Sequence, residues 1–267
     1  MLTSVAPHLR KAALLLALIR RELDARYRGA LLGRAWPLVT QAAQLLVFTY
    51  LFSAIFKVRL HLDGVGENAA TYGLWLFAGF IPWTAFSTSI AQGATSVIVQ
   101  QNLIKKVVFP LALLPLVPIF AAFVESLAGF AALIVLFGVV AHTVQPTIAL
   151  LPIVWIPQLL LTAGLAYFFS ALTVFIRDIP QALAPALLVW FYVTPVVYPS
   201  TIVPTQMAGL TRANPMTFIV SSTRDVVIYG RGINWGAWLL YTVVASAVFA
   251  GGFALYRKLR PAFADVL

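Results

Sequence analysis

Residues 20–56 read RRELDARYRGALLGRAWPLVTQAAQLLVFTYLFSAIF, and within this stretch a basic, water-facing helix gives way to a membrane span. In its first part Glu22 stands four residues before Arg26 and Asp24 four before Arg28, the favourable order for ion pairs along a helix. Ile19, Leu23, Tyr27 and Leu31 recur at the same spacing on another face. The pattern predicts an amphipathic helix over 9–31, suited to a membrane surface or a protein partner. From Trp36-Pro37 to Lys57 no Asp, Glu, Lys, Arg or His occurs. About twenty residues at ~1.5 Å each give the ~30 Å that crosses a bilayer. Arg10, Lys11, Arg20, Arg21, Arg26, Arg28 and Arg34 precede that run, so the N-terminus is expected in the cytoplasm.

Composition extends the reading to the whole chain. Of its 267 residues 61% are hydrophobic and 10% charged, which marks a polytopic membrane protein. A net charge of +10 might suggest nucleic acid, but Lys105, Lys106, Arg177, Arg257, Lys258 and Arg260 join the N-terminal cluster in segments expected inside, and membrane topology accounts for them. No nucleic-acid partner is expected. With no cysteine there is neither a disulfide framework nor a thiolate site. The apolar run 12–19 is too short for a signal peptide and leads into charges, so the first span is expected to act as its own insertion signal.

The remaining apolar segments give an all-α integral membrane protein in one domain. Six spans are predicted, at 36–57, 72–94, 110–140, 147–176, 181–197 and 235–256, with both termini cytoplasmic. The second span contains Pro82, tolerable where neighbouring helices meet the freed backbone group, so it is expected inside the bundle. Residues 198–234 are too polar to span and too apolar for a free loop; one or two short re-entrant helices on the outer side are expected there.

Catalytic chemistry is sparse. His8, His61 and His142 are scattered at segment edges, the eight acids form no evident pair, and no G-x-x-x-x-G-K-[ST] phosphate loop occurs. No catalytic residue, metal or cofactor of its own is expected. Glu125, in the middle of the third span, is either a protonated carboxyl bonded between helices or a functional charge. Gln41, Gln44, Phe48, Phe52 and Phe56 share one face of the first span, and Tyr72, Trp75, Gly79, Trp83 and Phe86 one face of the second. Such stripes suit either stacking on sugar rings or packing with an interfacial aromatic belt.

Arg21-Glu22-Leu23, Arg26-Tyr27-Arg28, Leu32-Gly33 and Trp36-Pro37-Leu38 resemble the N-terminal signature of the transmembrane permease subunits of ABC polysaccharide exporters, those for O-antigen, teichoic acid and capsule. Asn102-Leu103-Ile104-Lys105-Lys106-Val107-Val108-Phe109-Pro110, Phe175-Ile176-Arg177-Asp178-Ile179, Thr194-Pro195-Val196-Val197-Tyr198-Pro199, Asn214-Pro215-Met216 and Arg224 follow in the family's order, closer to the O-antigen and teichoic acid branch than to capsule. The resemblance implies a homodimer in the bacterial inner membrane. It would bind two copies of a cytoplasmic ATPase that holds ATP and Mg, and pass a lipid-linked polysaccharide outward. It implies an interface helix around Arg20, Arg21, Glu22, Arg26, Tyr27 and Arg28, whose arginines either contact the lipid pyrophosphate or anchor the inner side. It also implies ATPase coupling by Asn102, Leu103, Ile104, Lys105, Lys106 and Phe109 with Arg177 and Asp178. A channel would be lined by Gln44, Phe48, Phe52, Phe56, Tyr72, Trp75, Trp83 and Phe86, and an outer gate would be formed by Tyr198, Pro199, Asn214, Pro215 and Arg224. Two other readings are a membrane transferase acting on lipid-linked sugars, which needs convergent acids or histidines, and an ABC exporter of drugs or lipids.

Overall fold

A computed structural model describes residues 7–51, 69–101 and 110–267, and the regular structure among them is helical. Its α-helices are α1 (Pro7–Arg26), α2 (Trp36–Thr49), α3 (Ala69–Val99), α4 (Leu116–Ala141), α5 (Leu151–Phe175), α6 (Ile179–Val193), α7 (Thr205–Ala213), α8 (Pro215–Val227), α9 (Trp235–Leu259) and α10 (Phe263–Val266). α1 stops at Arg26 rather than at Leu31. The chain turns beyond it, and Gly29 (φ 81°) takes a left-handed conformation that a β-carbon disfavours. Arg28 therefore lies past the helix, and only the Glu22–Arg26 half of the expected ion-pair ladder is helical, at 3.5 Å.

Among the described residues, four helical segments are long and apolar enough to cross a membrane: Ala70–Val99, Leu111–Ala141, Pro146–Phe175 and Trp235–Ala262. The expected first span has α2 as its described part; residues 52–68 lie outside the described residues. The expected fifth span is α6, whose 15 residues cover about 22 Å at ~1.5 Å each, less than a bilayer. Within 198–234, where one or two short helices are expected, stand two, α7 and α8, of 9 and 13 residues.

Contacts fix the directions. Gln41 meets Gly129 and Thr49 meets Gly73, so α2 runs antiparallel to α3. Ile81 meets Gly129, and Gly93 faces the Pro115 carbonyl, so α4 runs back along α3. α5 and α9 run parallel: Trp238 Nε1 donates to the Ile153 carbonyl (2.9 Å), 85 residues apart, and at the same separation Gly164 abuts Phe249. One end of the bundle gathers the ends of α3, α5 and α9 with the start of α4. There the Tyr256 and Tyr167 hydroxyls donate to the carbonyls of Leu111 (2.9 Å) and Ala112 (2.7 Å). The basic residues of α1, Arg177, Arg257, Lys258 and Arg260 belong to this end, called the basic end below; Arg212, Arg224 and Arg231 belong to the other.

α3 is the most enclosed of the four spans and α9 the least, so α3 is the axis of the bundle. α3 continues through Pro82, and the amide of Gln158 on α5 donates to the Pro82 carbonyl at 2.8 Å. This bears out the expected interior place of the second span. α5 and α9 approach until backbones touch: a β-carbon on Gly164 would lie 2.6 Å from the Phe249 nitrogen, and Gly252 faces the Gly164 carbonyl. Lipid offers no hydrophobic drive between helices, so such close van der Waals contact holds them together. Gly164→Val is expected to destabilise by about 1–3 kcal/mol or more, since backbone cannot yield as a side chain can. Thermal unfolding in detergent checks this: Gly164→Val should melt several degrees lower, whereas Gly251→Val, where nothing lies within 4 Å, should melt with the wild type.

Candidate functional site

At the basic end α1 lies along α4. Leu15, Leu18, Ile19 and Leu23 pack with Val117, Phe120 and Ala121. One turn farther along both helices the packing ends in charge. Arg26 Nη1 donates to both carboxylate oxygens of Glu125, at 3.1 and 3.0 Å, and the Tyr27 hydroxyl donates to Oε1 at 2.8 Å. Arg26 Nη2 donates to Gln92 Oε1 on α3 and to Glu22 at 3.5 Å. One guanidinium thus binds three helices. Burial pushes the Tyr27 hydroxyl up to about 12, its bond to Glu125 adding to the effect, so Tyr27 remains a donor at any physiological pH.

Two expectations change here. Glu125 does not bond between spans alone; it meets Arg26 in a largely buried ion pair, because the basic helix reaches it. Arg26 is engaged with protein carboxylates, so among the arginines expected to meet a phosphate it is not available, while Arg20, Arg21 and Arg28 are exposed. Arg177 and Asp178 are exposed in the turn from α5 to α6. The coupling residues Asn102, Leu103, Ile104, Lys105, Lys106 and Phe109 lie outside the described residues, as do Phe52 and Phe56.

At the opposite end the motifs around Thr194 and Asn214 close on one buried arginine. Arg224 on α8 is 4% exposed. Its Nε donates to the Trp75 carbonyl (3.1 Å), Nη1 to Pro195 (2.8 Å) and Nη2 to Val196 (2.6 Å). The guanidinium lies 3.4 Å from the centre of the Trp75 ring, a cation–π contact sheltered from water. Gly79, one turn along α3, leaves room for it; a β-carbon there would come 2.9 Å from Arg224 Cζ. The Tyr72 hydroxyl donates to the Val197 carbonyl at 2.6 Å, so α3 holds three successive carbonyls after α6, two of them through Arg224.

Asn214 ties the same segments from the other side. Its Oδ1 caps α8 by accepting from Met216 N (3.0 Å) and also accepts from Trp190 Nε1 (2.9 Å), while its Nδ2 donates to Thr194 Oγ1 (2.8 Å). Pro215 takes the first helical position, where its missing N–H costs nothing. Tyr198 is half-buried and donates to the Tyr192 carbonyl at 2.7 Å, and Pro199 lines a cavity of about 400 Å³ beside Arg224 with Ser200, Ser221, Asp225 and Tyr229. Asp225 pairs with Arg231 at 3.9 Å on the cavity's rim. All five expected outer residues thus stand at this end; sequence reasoning missed Trp190, Thr194 and Gly79 as their partners. Gly79 had a signal, the one small residue in the aromatic stripe of α3.

That stripe is placed differently from the expected lining. Tyr72, Trp75, Trp83 and Phe86 are buried inside the bundle. Trp83 packs on Phe191 (5.5 Å between centroids) and Phe86 edge-on to Trp190 (5.1 Å), so α6 covers the face. Phe48 is partly buried against Phe80 and Phe191 (6.0 and 6.1 Å), and Gln44 is exposed.

Residues 13–228 match the ABC-2 type transporter family, and the chain belongs to it. It is 30% identical to the O-antigen export system permease protein RfbA of Myxococcus xanthus over 94% of each chain. It is 25% identical to the protein of that name from Klebsiella pneumoniae over 95% of each chain. The polysialic acid transport protein KpsM of Escherichia coli is 23% identical over 90% of this chain and 91% of its own.

Asn214→Ala is expected to cost about 1–3 kcal/mol, because it removes a helix cap and strands the Trp190 N–H. Arg224→Lys should cost at least as much, since a single ammonium cannot span three carbonyls set for a planar fork. Thermal unfolding of the purified variants reads both effects. Melting at the wild-type temperature would show that the clamp does not hold α8.

Proposed function

We propose that the chain is the permease subunit of an ATP-driven exporter that moves lipid-linked polysaccharide, of O-antigen type, across the bacterial inner membrane. The observation that carries this reading is likeness over almost the entire length, rather than at a shared motif, to proteins named for O-antigen export. The chain's part is to bind and guide. ATP and Mg belong to a separate cytoplasmic ATPase, two copies of which would serve a homodimer of this chain.

The basic end supports a cytoplasmic orientation: α1, the α5–α6 turn and the end of α9 gather positive charge there, as inner-facing segments do. Both termini are then cytoplasmic. Six crossings follow if α2 is completed by residues beyond Leu51 and α6 by the segment after Val193. α7 and α8 would stand at the outer mouth as re-entrant helices, held by Asn214 and Arg224. Coupling to the ATPase falls to residues 102–109 with Arg177 and Asp178. To a glycan path we assign the exposed Tyr50 and Tyr192 and the partly buried Phe48, beside Gln44, rather than the buried stripe of α3.

Purified and reconstituted alone, the chain should hydrolyse no ATP. With its ATPase in proteoliposomes it should support ATP-dependent movement of a lipid-linked glycan, and ATP turnover by the chain alone, or movement without the ATPase, would overturn the assignment. Tyr192→Ala combined with Phe48→Ala should slow glycan movement while ATPase binding persists. Unchanged transport would remove these two residues from the path.

A further inference from the structure

The pairing of α1 with α4 runs in step along both helices. The apolar ridge of Leu15, Ile19 and Leu23 meets Val117 and Ala121, and one turn beyond both the Arg26–Glu125 pair closes the contact. Val117, Ala121 and Glu125 are spaced by four on one stripe of α4. Glu125 lies about 13 Å past the start of α4 at ~1.5 Å per residue, so the ion pair is set into the bundle. An arginine at a membrane surface ordinarily keeps its head in water; here it is turned inward onto Glu125, Gln92 and Glu22. Apolar helix faces can slide by a ridge. Two hydrogen bonds from Nη1 to both Glu125 oxygens, with a third donor in Tyr27, hold one register.

We infer that Arg26 and Glu125 are positioning residues that lock α1, the start of α4 and the inner end of α3 into one rigid unit, through which a push on α1 reaches the spans. The inference rests on the exporter reading above, in which α1 meets the ATPase. Neither residue touches substrate. Glu22 and Gln92 both accept from Nη2, so the guanidinium is held at its two terminal nitrogens and the joint resists rotation as well as sliding.

The test uses the full chain with its ATPase in proteoliposomes, reading ATP hydrolysis and glycan export separately. Glu125→Gln should leave ATPase binding and hydrolysis intact while export falls roughly ten-fold or more, because the largely buried carboxylate that ties Arg26 of α1 to α4 is removed and only Glu22, on α1 itself, still pairs with it. The exchanged pair, Arg26→Glu with Glu125→Arg, should regain much of the loss. Export at the wild-type rate in Glu125→Gln, or an exchanged pair that assembles without exporting, overturns the joint. A second measurement leaves the ion pair untouched. Leu18 and Val117 face one cavity between α1 and α4, and the chain has no cysteine, so Leu18→Cys with Val117→Cys can be bridged by a bifunctional maleimide without background. A rigid unit tolerates the tether and exports as the unbridged double variant does; abolished export means that α1 slides on α4, and the inference fails. If the wild type with its ATPase moves no glycan at all, it is the exporter reading that fails instead.

Discussion

A guanidinium inside an apolar bundle has to find every partner in protein, because hydrocarbon supplies none, and each end of this bundle is built around one such group. Arg224 rests on three backbone carbonyls and an indole face. Arg26 rests on two carboxylates and an amide. The difference in partners is physical, not incidental. Two of the three carbonyls that converge on Arg224, those of Pro195 and Val196, belong to the segment without regular structure after α6, so the arginine replaces hydrogen bonds that the chain gives up there and ties them to the Trp75 carbonyl of α3. Carboxylates on Arg26 belong to formed helices, so that arginine joins elements that would otherwise touch only through aliphatic side chains.

Between these ends the packing is backbone-close. Gly164 and Gly252 let α5 and α9 meet without side chains between them, and Gly129 leaves room for the Gln41 and Ile81 side chains where α2, α3 and α4 converge. Van der Waals contact of this kind is lost steeply with distance, which makes the α3–α5–α9 layer the stiff part of the protomer. α9 turns Leu239, Leu240 and Val243 outward, as a helix does when only one of its faces has protein to meet. The apolar composition that marked the chain as a membrane protein is therefore spent on two different surfaces. α3 is apolar because it is enclosed by other helices; α9 is apolar because it is not.

The α-helical class, the positions of the long apolar segments and the interior place of the Pro82 span were legible in the sequence, since length, hydropathy and a proline inside an apolar run carry that information directly. The clustering of Asn214, Pro215 and Arg224 was legible only through family resemblance, as no local pattern says that Arg224 will reach Trp75 across 149 residues. What periodicity could not decide was which side of an aromatic face is covered. Tyr72, Trp75, Trp83 and Phe86 have the same spacing whether they meet sugar, lipid or Phe191. Glu125 shows the converse limit: hydropathy marks its cost but not its partner, because Arg26 lies on a helix that hydropathy assigns to water.

α3 is the one helix that takes part in both clamps. Gln92 near its inner end accepts from Arg26, while the Trp75 carbonyl and the Gly79 gap near its outer end receive Arg224. Its middle is fixed as well, by Gln158 at Pro82 and by the aromatic contacts of Trp83 and Phe86 with α6. A rod held at three heights by different neighbours cannot shift at one of them alone. The inner clamp, the α5 contact and the outer clamp are consequently one mechanical system: a displacement imposed at Gln92 has to be accommodated at Pro82 or delivered to Trp75. Pro82 is the place where the helix lacks a backbone hydrogen bond and is most easily bent. The fully buried Gln158 on the more rigid α5 supports that point, which favours delivery of the movement to α8 over its absorption halfway.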